Sequence, residues 1–178
     1  AHESQIAFLK NTTDGLIATA LGVDWRQGDS VVIAAGEFPA NVYPWRNLSD
    51  RGVSIRWVPE HAGVLRVADF AAAIDSSTRV LSVSSVEFFT GFRNDLAALG
   101  QLSRERDVLF VVDGIQSVGA LRIDVEALGI DCLAADGHKW LMGPEGCALF
   151  YTSARALAQL RVAGLGWASV STSHDFLD

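Results

Sequence analysis

Seven short, almost continuously apolar runs punctuate this chain, and stretches with helical spacing separate most of them. The runs are IAFL (6–9), VVIAA (31–35), VSIRWV (53–58), RVLSVSS (79–85), VLFVVD (108–113), DCLAAD (131–136) and CALFYT (147–152). A strand open to water on one face alternates apolar with polar residues, whereas a strand covered on both faces is apolar throughout. The runs therefore predict strands buried between two layers of helices. The intervening helices are read over 14–23, 40–52, 67–75, 95–107 and 153–161, with Asn94 and Ser153 as candidate caps for the last two. Pro44 must sit in the first turn of the second helix or bend it, and Gly52 is a plausible stop. Such alternation predicts a doubly wound α/β domain. Only the GPEG turn region joins the last two strands, too short for a parallel crossover, so 147–152 is expected to run antiparallel to its neighbours. After Gly164 the pattern dissolves without an evident final helix.

With 178 residues, 49% hydrophobic and 20% charged, the chain suits one well-packed globular domain. No apolar run approaches the roughly 20 residues of a membrane-spanning helix. The start, AHESQIAFLKNTT, lacks a basic segment followed by an apolar one, so no secretory signal is read and a cytoplasmic protein is expected. A net charge of -7 and scattered basic residues argue against nucleic acid as a partner. Cys132 and Cys147 are expected as buried free thiols, and His2, His61, His138 and His174 are too dispersed to suggest a metal site. There is no GxGxxG fingerprint, phosphate-binding GxxxxGK[ST] loop or GxSxG elbow. An acid and a lysine on neighbouring strands would also suit a phospho-accepting receiver domain, but nothing acidic follows the first strand except Asp14.

In open α/β sheets ligands gather beyond the carboxyl ends of the strands. After the first strand comes NTTDG, where Thr12, Thr13 and free helix N–H groups form an anion-binding corner or an ordinary cap. The second strand leads to Phe38, which packs in the core or stacks on a ligand. The fourth leads to Glu87, Thr90 and Arg93, readable as a charged loop. The fifth ends on Asp113, with Gln116 one turn on. The sixth leads into Asp136, His138 and Lys139. Lys139 is one of only two lysines among fourteen basic residues. Next to Trp140, Leu141 and Met142 it either snorkels to solvent or is desolvated enough to serve as a nucleophile. An acid at one strand end, a lysine at the next and an anion corner at the first helix together suit pyridoxal 5'-phosphate (PLP). Its ring nitrogen wants a carboxylate, its aldehyde an amine and its phosphate a helix N-terminus.

At these residues the chain resembles the class V aminotransferase family, which includes cysteine desulfurases, selenocysteine lyases, kynureninase and isopenicillin N epimerase. The matching pieces are NTTDG, GDSVVIAAGEFPAN, TRVLSVSSVEFFTG, VVDGIQSVGALRIDV and ADGHKWLMGPEGCALFY, in family order from residue 6 to about 152. The resemblance implies a fold-type I large domain, a seven-stranded, mostly parallel sheet with one antiparallel strand. It implies a Schiff base between Lys139 and PLP, Asp113 on the ring nitrogen, Gln116 on the ring oxygen and Phe38 stacked on the ring where desulfurases usually place a histidine. Thr12, Thr13 and His138 would hold the phosphate, and Glu87 would lie near the ring oxygen. Asp136 departs from the small or hydroxyl residue many relatives carry there, and a carboxylate beside a phosphate is repulsive unless it points away or a donor bridges it.

The resemblance also implies a small-molecule amino-acid substrate, a homodimer, and a partial chain. Residues 1–164 would be the PLP-binding domain and 165–178 the start of a connection to a small domain carrying the substrate-carboxylate arginine. Neither cysteine matches the desulfurases' catalytic cysteine. Two other readings stay open: a folded but catalytically incompetent domain, and an α/β module that binds a phosphoryl ligand at the NTTDG corner.

Overall fold

The computed structural model describes residues 1–171 and residue 175; His174 and most of the end of the 165–178 segment lie outside them. Among the described residues the strands are β1 (Ile6–Leu9), β2 (Ser30–Ala34), β3 (Ser54–Val58), β4 (Thr78–Ser84), β5 (Leu109–Asp113), β6 (Cys132–Asp136) and β7 (Ala148–Thr152). They form one sheet in the order β1-β7-β6-β5-β4-β2-β3. Strands β2 to β6 pair in parallel, and β7 runs antiparallel to both β6 and β1, as the short final connection requires.

The apolar runs are buried on both faces because successive side chains enter different cores. From β2, Val31 and Ile33 face one cluster and Val32 and Ala34 the other; from β5, Leu109 and Val111 oppose Phe110 and Val112. The first core is closed by α1 (Thr12–Gly22) through Leu16 and Ala20, by α2 (Tyr43–Arg46) through Trp45 and by α5 (Ala154–Gln159) through Ala156. The second is closed by α3 (Val67–Ala73) through Phe70 and by α4 (Leu96–Glu105) through Leu96, Leu99 and Leu102. No helix among the described residues is long and apolar enough to cross a membrane.

Helix α1 leaves β1 at one edge and lies against β6. A Cβ on Gly15 would come within 2.7 Å of the Ala134 Cβ and 2.9 Å of the Phe150 ring, so glycine sets the helix close to the sheet. The Thr12 hydroxyl accepts the Asp136 N–H at 2.9 Å, which ties the start of α1 to the end of β6.

Three local expectations change. The helix expected over 40–52 is a broken run: a 3-10 turn at Pro39–Asn41, α2 with Pro44 in its first turn, and a second 3-10 turn at Ser49–Arg51. Proline next to the 3-10 turn prevents one continuous hydrogen-bond ladder, while Gly52 does end the segment with φ of 76°. The cap of α4 is Asp95, whose carboxylate accepts the Ala98 N–H at 3.0 Å, because Asn94 is committed elsewhere. Cys132 is buried in β6, where desolvation pushes its thiol up to about 12. Cys147 is instead exposed, one residue before β7, in the turn whose backbone oxygen it gives to the Gly137 N–H.

Candidate functional site

A cavity of about 440 Å³ opens at the carboxyl edge of the parallel strands, where β6, β5 and β4 meet the start of α1. Thr12, Thr13, Phe38, Asp113, Gln116, His138 and Lys139 all line it. Volumes of this size suit small-molecule ligands. A second cavity of about 340 Å³, between α4 and the segment after β5, is lined by Arg93, Ser117 and Arg122 but by neither a lysine nor an aromatic ring.

Lys139 projects from the turn after β6 and is half-buried. Its Nζ lies 6.0 Å from the centre of the Phe38 ring and 5.9 Å from that of Phe88. The two rings pack at 5.0 Å with a 58° tilt, and Phe89 continues the cluster edge-on. The amine's apolar cover therefore comes from Phe38 and Phe88; Trp140 and Met142, expected to desolvate it, are 53% and 92% exposed. Trp140 has another contact: its indole N–H donates to Gln116 Oε1 at 3.2 Å. With that oxygen engaged, the Gln116 amide N–H groups remain to donate into the cavity.

Asp113 ends β5 with 2% exposure. Burial pushes its carboxyl up to about 6, opposed by the Ile115 N–H that donates to Oδ1 at 3.0 Å and by the Lys139 charge. It is thus mostly ionised at neutral pH. Behind it stand two further buried acids. Glu37 accepts both the Ser84 N–H and the Ser84 hydroxyl at 2.6 Å. Desolvation first, then the Glu87 charge, push Glu37 up to about 8. Glu87 is pushed up to about 7 by burial, against the hydrogen bond donated by Asn94 at 2.7 Å. Asn94 also donates to the Ser84 carbonyl at 2.8 Å. Ser84, which lies opposite Asp113 in the β4–β5 register, is therefore gripped from both ends.

The anion corner has a definite form. Asn11 caps α1 by accepting the Asp14 N–H at 2.8 Å, so the N–H groups of Thr12 and Thr13 are left at the open end of the helix. Facing them, Asp136 Oδ2 pairs with His138 Nδ1 at 3.1 Å. The other carboxylate oxygen, Oδ1, is buried without a hydrogen-bond partner among the described residues. Such an orphan costs about 1–3 kcal/mol.

Seven of the eight residues singled out from sequence are thus brought together. Glu87 is not; its carboxyl turns to Asn94, and it does not line the cavity. Thr90 accepts the Phe92 N–H in its own loop. Sequence reading missed Phe88, next to Glu87, and Glu37, next to Phe38; an aromatic four residues and an acid three residues after strand ends were the available signals.

Sheet order, an acid ending β5 and a lysine after β6 define an α/β domain with its ligand cavity at a strand-end crevice. The architecture is similar to solved PLP-dependent proteins. The complex between the cystine C–S lyase C-DES and its product cysteine persulfide superposes with a TM-score of 0.91 at 28% identity, over 96% of this chain and 47% of that one. A C-DES mutant with glycine covalently linked to the PLP cofactor gives 0.90 at 27%, over 96% and 46%. The chain belongs to the aminotransferase class-V family, whose model matches residues 1–174. It is also 34% identical over 171 residues to a probable cysteine desulfurase of Methanothermobacter thermautotrophicus, covering 96% of this chain and 43% of that protein. The chain thus spans less than half the length of these relatives.

Proposed function

We propose that this chain binds PLP and works as the cofactor-binding domain of an enzyme acting on an amino acid, within the range of the desulfurase and C–S lyase relatives. The observation that carries this reading is the convergence of Lys139, Asp113, Gln116, Phe38 and the α1 N-terminus on one cavity. The donor set fits the group: helix amides and hydroxyls for a phosphate, a carboxylate for a cationic ring nitrogen, an amine for an aldehyde and an aromatic wall for a flat ring. When bound, the cofactor supplies an electron sink for a carbanion at the substrate's α-carbon.

Each residue has a task in this reading. Lys139 Nζ would hold the cofactor's aldehyde, and as a free amine it would serve as general base for the substrate's α-proton. Asp113, ionised above about pH 6, keeps the ring nitrogen protonated. Gln116 donates to the ring oxygen, and Phe38 covers a ring face. Thr12, Thr13 and His138 hold the phosphate. A homodimer and a cytoplasmic setting belong to the same proposal.

Visible absorption after adding PLP tests this reading. The wild-type chain should develop the band of a lysine-bound cofactor, and Lys139→Ala should not. No band at saturating PLP favours a catalytically incompetent domain. Binding indifferent to Lys139 favours a phosphoryl-ligand module.

A further inference from the structure

The corner around Asp136 is held by contacts other than its carboxylate. Its backbone N–H bonds the Thr12 hydroxyl, β6 is fixed by pairing with β7 through Ala148, and α1 is capped by Asn11. Asp136 is 5% exposed; among the described residues one carboxylate oxygen has no hydrogen-bond partner, and the other lies 3.1 Å from His138 Nδ1. It lines the same cavity as Thr12 and Thr13. A carboxylate in the wall of an anion site is unfavourable unless a cation compensates it. The basic side chains lining that cavity are His138 and Lys139, and the Lys139 amine is committed to the aldehyde in the function proposed above. Lys10, on the approach to α1, pairs with Asp14 at 3.6 Å.

This 3.1 Å contact also bears on what His138 can offer. If Nδ1 carries its proton toward Asp136, a neutral imidazole presents only an acceptor lone pair at Nε2, which cannot bond an ionised phosphate oxygen. An imidazolium presents Nε2–H, a charge-assisted donor. We propose that Asp136 is a positioning residue that holds His138 as a protonated imidazolium aimed by its Nε2–H at the ligand's phosphate, so that the anion corner is a carboxylate–imidazolium pair set against the α1 N-terminus. The identity of the ligand rests on the PLP reading; the pair itself requires only a phosphate group. With the phosphate bound, the charge of Asp136 is matched within the pair and adds no net repulsion.

The test measures dissociation constants of PLP, pyridoxal and inorganic phosphate for the whole chain. Asp136→Ala should weaken PLP and phosphate about tenfold or more while leaving pyridoxal, which lacks the phosphate, unchanged. Asp136→Asn, which still accepts Nδ1–H but carries no charge, should recover part of the loss. Nitrogen NMR of phosphate-loaded wild type should show both His138 nitrogens protonated. In a His138→Gln background the Asp136→Ala effect should vanish. The inference is overturned if Asp136→Ala binds PLP as well as wild type relative to pyridoxal, or if its loss persists without His138. A Lys139-dependent PLP band that ignores Asp136 sinks this inference alone. Phosphate binding that depends on Asp136, without any PLP band, upholds the pair and sinks the PLP reading.

Discussion

Replacing Glu37 by glutamine isolates one buried acid while keeping its shape. Gln Oε1 can still accept the Ser84 N–H, and its amide can donate to the Ser84 hydroxyl, so both 2.6 Å contacts have replacements. The carboxyl of Glu37 titrates near 4.5 in an unfolded chain and near 8 in the folded one, chiefly because burial disfavours its charge. Between those values the folded state holds a proton the unfolded state has lost, so wild-type stability falls as pH rises through the window. Each pH unit is worth about 1.4 kcal/mol, and the full window sums to the order of 5 kcal/mol. Glu87 and Asp113 titrate in both proteins, so most of their effect cancels in the comparison. Below about pH 4 the two proteins should therefore be similarly stable, and above about pH 9 Glu37→Gln should exceed wild type by on the order of 5 kcal/mol. Urea unfolding followed by far-ultraviolet circular dichroism at both pH values reads this directly. A stability difference that does not change with pH would refute the reasoning, as would one of opposite sign.

Two further changes probe the frame of the site. Gly15→Ala forces a Cβ to 2.7 Å from Ala134 and should destabilise by about 1–3 kcal/mol in chemical denaturation, and by displacing α1 it should also weaken phosphate binding. Asn41→Ala removes the oxygen that accepts from Trp45 Nε1 at 3.1 Å and from the Ser82 hydroxyl at 2.6 Å; two stranded donors in the core should cost about 2–4 kcal/mol in the same assay.

The sheet was readable from the chain because its strands are buried on both faces, which leaves an apolar signature independent of what covers them. Antiparallel β7 was readable for a different reason, the length of its connection. The run 40–52 was not, since helical spacing survives in a segment that Pro39 and Pro44 break into pieces. The cavity's lining followed from the rule that ligands gather at strand ends, which drew in Asp113, Lys139 and the NTTDG corner. What covers Lys139 was hidden: its sequence neighbours Trp140 and Met142 face solvent, and Phe38 and Phe88 reach it from other strand ends. Glu37 was hidden too, because an acid after Gly36 looks like a solvated loop until Ser84 is placed beside it. Asp136, repulsive in a phosphate corner when taken alone, has a partner two residues away in His138.

The proposed function makes Lys139 the residue to which PLP becomes attached. The chain has just two lysines, so chemical mapping is unambiguous. After incubation with PLP, borohydride reduction and proteolysis, mass spectrometry should find the pyridoxyl adduct on the peptide containing Lys139 and leave the Lys10 peptide unmodified. An adduct on Lys10 instead, or no adduct on Lys139 at saturating PLP, would contradict the account.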